Sequence, residues 1–303
     1  MSSKPERFSG VLAPVVTPFN DDLDPDPWKL VKQCRWLASQ GVGLAVFGTN
    51  SEANSLSQDE KSMLLHRLIE GGVPAERLMP GTGCCSLTDT VELTRHATEL
   101  GCGGVLMLPP FYYKDVSDDG LYRFYAETIE RVDSDDLRIY LYHIPPVARV
   151  GLSVDLVDRL VSDFPGVIAG IKDSSGDWSN TAAMLERAWD DFRIFVGSES
   201  LLLKNLRAGG AGCISATANI NPAAIRELFD NWQDDSAGDR QASLDAVRAI
   251  VQSFPMIPAL KAIVARFRDD EDWLRVRPPL VELGEAERSD LYAQLDAAGF
   301  TMT

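Results

Sequence analysis

Eight short apolar runs of β character alternate with amphipathic helical stretches along about the first 230 residues, and that alternation leaves few folds open. The runs are Val11–Val16, Gly43–Phe47, Leu78–Gly81, Gly104–Leu108, Arg138–Tyr142, Val167–Lys172, Arg193–Val196 and Gly212–Ser215. Strand and helix alternating eight times predict an α/β fold, a (β/α)8 TIM barrel, with functional groups at the carboxyl ends of the strands. Helix starts fall between the runs: Ser57-Gln-Asp-Glu60 has capping-box spacing, Ser86-Leu-Thr-Asp89 is a weaker version, and Asn221-Pro222 puts proline in a first turn. From about Asp230 the strands stop, and Ala242–Ser253, Ile257–Arg268 and Glu285–Ala298 read as helices. The predicted division is a catalytic barrel over residues 1–229 and a C-terminal helical extension, 230–303, packed on it. A chain of 303 residues, 45% hydrophobic, can bury one large core.

A formal net charge of -16 argues against nucleic acid as a partner, because a phosphate-binding face needs clustered Lys and Arg. The acidity reads as a solvated surface and leaves an anionic small substrate open, since a cleft sets its own local field. No run is apolar enough to span a bilayer and Met1–Arg7 lacks the apolar segment of a leader, so no membrane partner and a cytoplasmic protein are expected. Cys34, Cys84, Cys85, Cys102 and Cys213 lack paired zinc spacings and read as reduced, mostly buried thiols. Of three histidines, His66 and His96 lie in helical patterns, so no metal site and no cofactor are expected.

Chemistry gathers at the predicted strand ends. Lys172 closes the uncharged run Gly166-Val-Ile-Ala-Gly-Ile and is followed by the turn residues Asp-Ser-Ser-Gly176. The other seven of the eight lysines lie in polar or helix-like surroundings that suit a solvated ammonium, which makes Lys172 the candidate nucleophile. A lysine that attacks carbonyls must first shed its proton, and an apolar strand end favours that by desolvation. The plainer reading is a lysine that caps the strand or pairs with Asp173. After the second run, Gly48-Thr-Asn-Ser-Glu-Ala-Asn54 is a small polar turn whose N–H groups and hydroxyls suit a carboxylate, although most such turns are only loops. Pro109-Pro-Phe-Tyr-Tyr113 brings two phenols, Tyr112 and Tyr113, to the same rim, and the fifth run ends in Tyr142-His-Ile-Pro145. A buried tyrosine alone is more often packing than catalysis. Phenols and a hydroxyl turn converging on one lysine make a stronger pattern than any one member.

Taken together, Gly48-Thr49-x-x-Glu52, Pro-Phe-Tyr-Tyr113, Tyr142-x-x-Pro145, Gly170-Ile-Lys172-Asp-Ser-Ser-Gly176 and Gly212-Cys-Ile-Ser-Ala-Thr-Ala-Asn219 resemble the dihydrodipicolinate synthase and N-acetylneuraminate lyase family over about residues 8 to 300. The resemblance implies a (β/α)8 barrel, usually a homotetramer (or homodimer), that uses no metal and joins its lysine to a 2-oxo acid, commonly pyruvate, as a Schiff base. It implies that Lys172 is the imine-forming lysine and Tyr142 the phenol that shuttles protons beside it. Thr49 and Tyr112 match the relay from Tyr142 toward solvent. Thr49 and Asn50 match the carboxylate-gripping turn, and the Ile214 backbone matches the position on the eighth strand near the lysine.

The departures from the family pattern bear on substrate. Asn50 and Ser51 stand where the family has a hydroxyl residue and glycine, and an amide still donates to a carboxylate. The usual Tyr-Asn-x-Pro is Tyr142-His143-Ile-Pro145, and about two added residues precede Arg149-Val-Gly151, where the synthase has an arginine for its second substrate's carboxylate. Ser174 resembles the hydroxyl that lyases and sugar-acid aldolases place two residues past the lysine, where the synthase tends to have alanine. Glu199, within Gly197-Ser-Glu-Ser200, adds a polar group suited to a polyhydroxylated chain. The expected activity is a pyruvate-dependent lyase or aldolase acting on a 2-oxo-3-deoxy sugar acid or related hydroxylated 2-oxo acid, with pyruvate and an aldehyde as small-molecule partners. Dehydration of such an acid and 4-hydroxy-tetrahydrodipicolinate (dihydrodipicolinate) synthesis are the alternatives; a sensing barrel without turnover would have no use for Lys172, Tyr142 and Thr49.

Overall fold

The computed structural model describes residues 6–302; the opening residues read for a leader, 1–5, lie outside it. Seven strands pair in parallel: β1 (Gly10–Ala13), β2 (Gly43–Leu44), β3 (Val105–Met107), β4 (Ile139–His143), β5 (Ile168–Asp173), β6 (Arg193–Val196) and β7 (Gly212–Ile214). The chain forms two compact units, one made of residues 6–9 with Pro74–Cys213, the other of Gly10–Val73 with residues from Ile214 onward. No single helix among the described residues is long and apolar enough to cross a membrane.

In the first unit the order is β3, β4, β5, β6, β7, and helices Asp118–Val132, Val154–Asp163, Trp178–Glu186 and Leu202–Arg207 follow the first four of these strands. All residues of β4 and β5 are buried, as expected of strands covered on both faces. Their register is not uniform. Ile139 faces Ile168, but Tyr140 faces Gly170, so β5 carries one extra residue, Ala169, and from there Tyr142 faces Lys172 and His143 faces Asp173. Gly170 is required where it stands, because a Cβ there would lie 2.3 Å from the Arg193 carbonyl oxygen of β6.

One expected strand is not formed. Leu78–Gly81 contributes a single bridge, Gly81 to Leu106, with Leu106 N–H donating to Pro80 O at 2.9 Å and Thr82 N–H to Leu106 O at 3.1 Å. The rest of its ladder is lost for local reasons: Pro80 has no N–H, and the Leu78 N–H is taken by Ala75 O in a 3-10 turn. β2 is also shorter than the run that predicted it, since Phe47 turns into the left-handed region at φ 59. The helix starts follow the sequence: the Ser57 side chain and Glu60 exchange both bonds of a capping box, Ser86 accepts the Asp89 N–H, and Pro222 opens Pro222–Asp230.

In the second unit Leu12 of β1 faces Gly43 of β2, and the Ser215 N–H just past β7 donates to Leu12 O. The C-terminal helices are Ala237–Gln252, Met256–Arg268 and Glu285–Ala297. Their core joins Val251, Ile263, Trp273, Leu283, Leu291 and Leu295 to Val16, just beyond β1. Pro258–Ala265 is buried without a break, and this corrects the view that every lysine but Lys172 is solvated: Lys261, inside that run, has no exposed surface.

Lys261 Nζ donates to Glu52 Oε1 at 2.7 Å, with both side chains 0% exposed, and lies 4.4 Å from the centre of the Phe19 ring. The other Glu52 oxygen accepts the Arg277 N–H at 2.9 Å, and Arg277 itself pairs with Glu60. Burial pulls the Lys261 ammonium down to about 8, against the pull of Glu52. Removing one member of such a pair strands a buried charge at a cost of about 3–5 kcal/mol, whereas neutralising both costs less. Lys261→Met is therefore expected to lower unfolding stability in urea by that amount, and Lys261→Met with Glu52→Gln to recover at least about 1 kcal/mol of it. Between pH about 8 and the ordinary lysine value of 10.5 the unfolded chain holds a proton that folded Lys261 has lost. Wild-type stability should thus rise with pH across that window relative to the double variant.

Candidate active site

The β4–β5 register sets two residues of different chemistry side by side. Facing residues of neighbouring parallel strands project to one face, so Tyr142 and Lys172 share a face while His143 and Asp173 share the other. Lys172 Nζ donates to Tyr142 Oη at 3.2 Å and stands 4.2 Å from the centre of that ring; the residues are 3% and 4% exposed. On its other side Lys172 faces Phe195 of β6, which is fully buried. The lysine's amine therefore lies over the Tyr142 ring with the phenol oxygen as a polar neighbour.

Asp173 is not its partner. One Asp173 oxygen accepts the Ser175 N–H at 2.9 Å and the other accepts from Asn180 Nδ2 at 2.9 Å and Thr181 Oγ1 at 2.7 Å. Among the described residues Lys172 makes no ion pair, which removes the strand-capping alternative in its Asp173 form. The three donors to Asp173 were not singled out in the sequence, yet Ser175, Asn180 and Thr181 lie two, seven and eight residues downstream, in the turn and first helical residues where such donors fall.

Ser174 is half-buried and rests on Gly197: a Cβ there would lie 2.1 Å from Ser174 Oγ, so glycine at the end of β6 makes the room. Glu199, 1% exposed, stands in the turn Glu199–Leu201 that follows. Tyr112 and Tyr113 stand edge to face with ring centres 5.5 Å apart, and they are 74% and 71% exposed. The Tyr112 hydroxyl makes no hydrogen bond within the described residues. Arg149 is exposed, at φ 56, closing the short helix Pro145–Ala148. His143 accepts the Leu152 N–H at Nδ1, 2.9 Å away; burial pushes its imidazole below the ordinary value, with Asp173 acting the other way.

The second unit holds the remaining predicted residues. Thr49 and Asn50, half-buried, begin the 3-10 turn Thr49–Ser51. That turn is braced at several points: Ser51 Oγ accepts the Gly48 N–H at 3.2 Å, Thr17 Oγ1 donates to Ser51 O at 2.7 Å, and Glu52 leaves the turn at φ 57 into its bond with Lys261. Thr17 and Lys261 are supports that sequence reasoning missed. Ile214 ends β7, fully buried. No group of three His, Cys, Asp or Glu among the described residues is placed to hold a metal ion.

The model of the dihydrodipicolinate synthetase family matches residues 7–298. The chain is 33% identical to an uncharacterized DapA-like lyase of Chloroflexus aurantiacus, covering 94% of this chain and 95% of that one. It is 32% identical to a 4-hydroxy-tetrahydrodipicolinate synthase of Thermus thermophilus over 90% of each. Among solved structures, dihydrodipicolinate synthase from Agrobacterium tumefaciens superimposes with a TM-score of 0.89 at 32% identity, covering 96% of this chain and 99% of that one. A prophage protein of the same family from E. coli K12, in complex with pyruvate, gives 0.88 at 27% identity over 97% and 99%. The fold and the strand-end chemistry are thus those of a Schiff-base lyase of the α/β class, with TIM-barrel proteins as its structural neighbours. The chain belongs to the dihydrodipicolinate synthetase family.

Tyr142 is the phenol within hydrogen-bond reach of Lys172. Tyr142→Phe removes one oxygen and keeps the buried ring, so the fold should stand while kcat falls by about two orders of magnitude, the contribution of a positioned acid–base group. A variant with nearly full kcat would make the phenol a packing residue.

Proposed function

We propose that Lys172 forms the imine with a 2-oxo acid and that the enzyme cleaves, or builds, a hydroxylated 2-oxo-3-deoxy acid, with pyruvate and an aldehyde as the other partners. The observation that carries this reading is the buried 3.2 Å contact between Lys172 Nζ and Tyr142 Oη, made by a lysine without a carboxylate partner. In the cleavage direction the amine adds to the C2 carbonyl and water leaves. The iminium then draws the electrons of the C3–C4 bond as Tyr142 takes the proton of the C4 hydroxyl, and an aldehyde departs. Protonation of the enamine at C3 and hydrolysis of the imine release pyruvate and return Lys172. The family motif supports Thr49 and Asn50 as donors to the substrate carboxylate, Thr49 and Tyr112 as the proton relay, and the Ile214 backbone as a binding position. Ser174, Glu199 and Arg149 are proposed for the part of the substrate beyond C3. Assembly as a homotetramer or homodimer belongs to the same reading.

The central test is chemical. Pyruvate with borohydride is expected to label the folded protein irreversibly at Lys172, read by peptide mapping; a label on another lysine, or none, would overturn the mechanism. Lys172→Ala should fold, take no label and lose turnover.

A second reading, 4-hydroxy-tetrahydrodipicolinate synthesis from pyruvate and aspartate semialdehyde, is favoured by the relatives of that name. Dehydration of the hydroxylated acid would use the same iminium. Ser174 separates the first two. A site built to bond hydroxyls leaves polar groups unpaired when the substrate lacks them, at several kcal/mol. With pyruvate present, polyhydroxylated aldehydes should be preferred over aspartate semialdehyde by at least about tenfold in kcat/KM, and Ser174→Ala should narrow that ratio. A competition assay with both aldehydes measures it, and preference for aspartate semialdehyde would instead establish the synthase.

A further inference from the structure

We infer that His143 is a positioning residue: its ring sets the loop that carries Arg149, and through that loop the choice of aldehyde. The inference rests on the function proposed above. His143 follows Tyr142 at the end of β4 and projects to the opposite face, where it is 7% exposed. Nδ1 accepts the N–H of Leu152, itself 2% exposed, and so closes the loop 144–151 on the strand it leaves. An imidazole that accepts at Nδ1 carries its proton at Nε2, which makes no hydrogen bond within the described residues.

Inside the closed loop little is free to move. The Arg149 N–H is held by Pro145 O at 3.0 Å, and its backbone is left-handed. Gly151 lies against the imidazole: a Cβ there would be 3.3 Å from Cε1, so a side chain at 151 presses on the ring. From the loop after β3, Lys114 Nζ donates to Ala148 O at 2.9 Å and also to Phe111 O. Arg149 is thus held between two tethers, Lys114 just before it and His143 just after. Arg149, next to Ala148 and exposed, is the cation that these tethers place.

Nδ1 stands as many bonds from the backbone as a carboxamide oxygen does, so asparagine at 143 can accept the same N–H. A phenylalanine keeps the ring and loses the acceptor, leaving the buried Leu152 N–H unpaired. The expected split is therefore between these two variants, not between either one and wild type alone. With pyruvate saturating, His143→Phe should raise KM for aspartate semialdehyde, which carries a carboxylate, by about tenfold and KM for glyceraldehyde by no more than about threefold, so that the ratio of their kcat/KM changes by at least about threefold. Borohydride labelling at Lys172 by pyruvate should keep its wild-type rate, and His143→Asn should stay within about twofold of wild type throughout. Should His143→Phe not fold, Gly151→Ala, which pushes on the same ring, should move the ratio in the same direction. Folded His143→Phe with an unmoved ratio overturns the inference, as does equal loss in both 143 variants together with slowed labelling. A wild type that takes no label, or turns over neither aldehyde, overturns the proposed function and this inference with it.

Discussion

The extra residue in β5 decides which face Lys172 presents. Had the register of Ile139 with Ile168 continued with no shift at Ala169, Tyr142 would face Ile171, and Lys172 would face His143 on the other side of the sheet. The inserted residue moves the whole downstream half of β5 by one position relative to β4. It thereby sets lysine beside phenol, and it sends Asp173 to the face where Asn180 and Thr181 wait for it. Bulges cluster beside active sites because one added residue re-aims every side chain after it. Gly170, next in the chain, completes the device, since only a residue without a side chain passes the Arg193 carbonyl and the Tyr140 ring at that distance.

What the sequence made legible follows from how local each signal is. Lys172 and Tyr142 were readable because a charge or phenol ending an uncharged run is a local contrast, and strand ends are where this class of fold does its chemistry. The β4–β5 irregularity that pairs them was not, because register is a relation between two strands, and an alanine among apolar neighbours gives no sign of lacking a partner. The Leu78–Gly81 run shows the converse: its apolar pattern was real and Leu78 is buried, but Pro80 and the Ala75 turn took away the donors that a ladder needs. Lys261 hid behind composition. A lysine in a helix is usually at the surface, and the signal against that was the run Ile257-Pro-Ala-Leu and Ala262-Ile-Val-Ala on both sides of it, which leaves the helix no polar face. Its partner Glu52 could be named from the sequence as part of a turn, but not as one half of an ion pair 209 residues away.

Two of the buried lysines, Lys172 and Lys261, have opposite surroundings. Lys261 is given a carboxylate at 2.7 Å, an aromatic face and a complete set of supports through Arg277 and Glu60, an arrangement that holds an ammonium in place. Lys172 is given the phenol and ring of Tyr142, while the carboxylate next to it in sequence faces the other side of the sheet and accepts from three other donors. In a chain with a net charge of -16, keeping a buried lysine clear of carboxylates requires each nearby acid to be occupied elsewhere. A carboxylate within about 4–6 Å favours the charged form of an amine, and a charged amine is no nucleophile. The hydrogen bonds from Ser175, Asn180 and Thr181 thus engage both oxygens of the acid next to Lys172 in sequence, on the face of the sheet opposite to it.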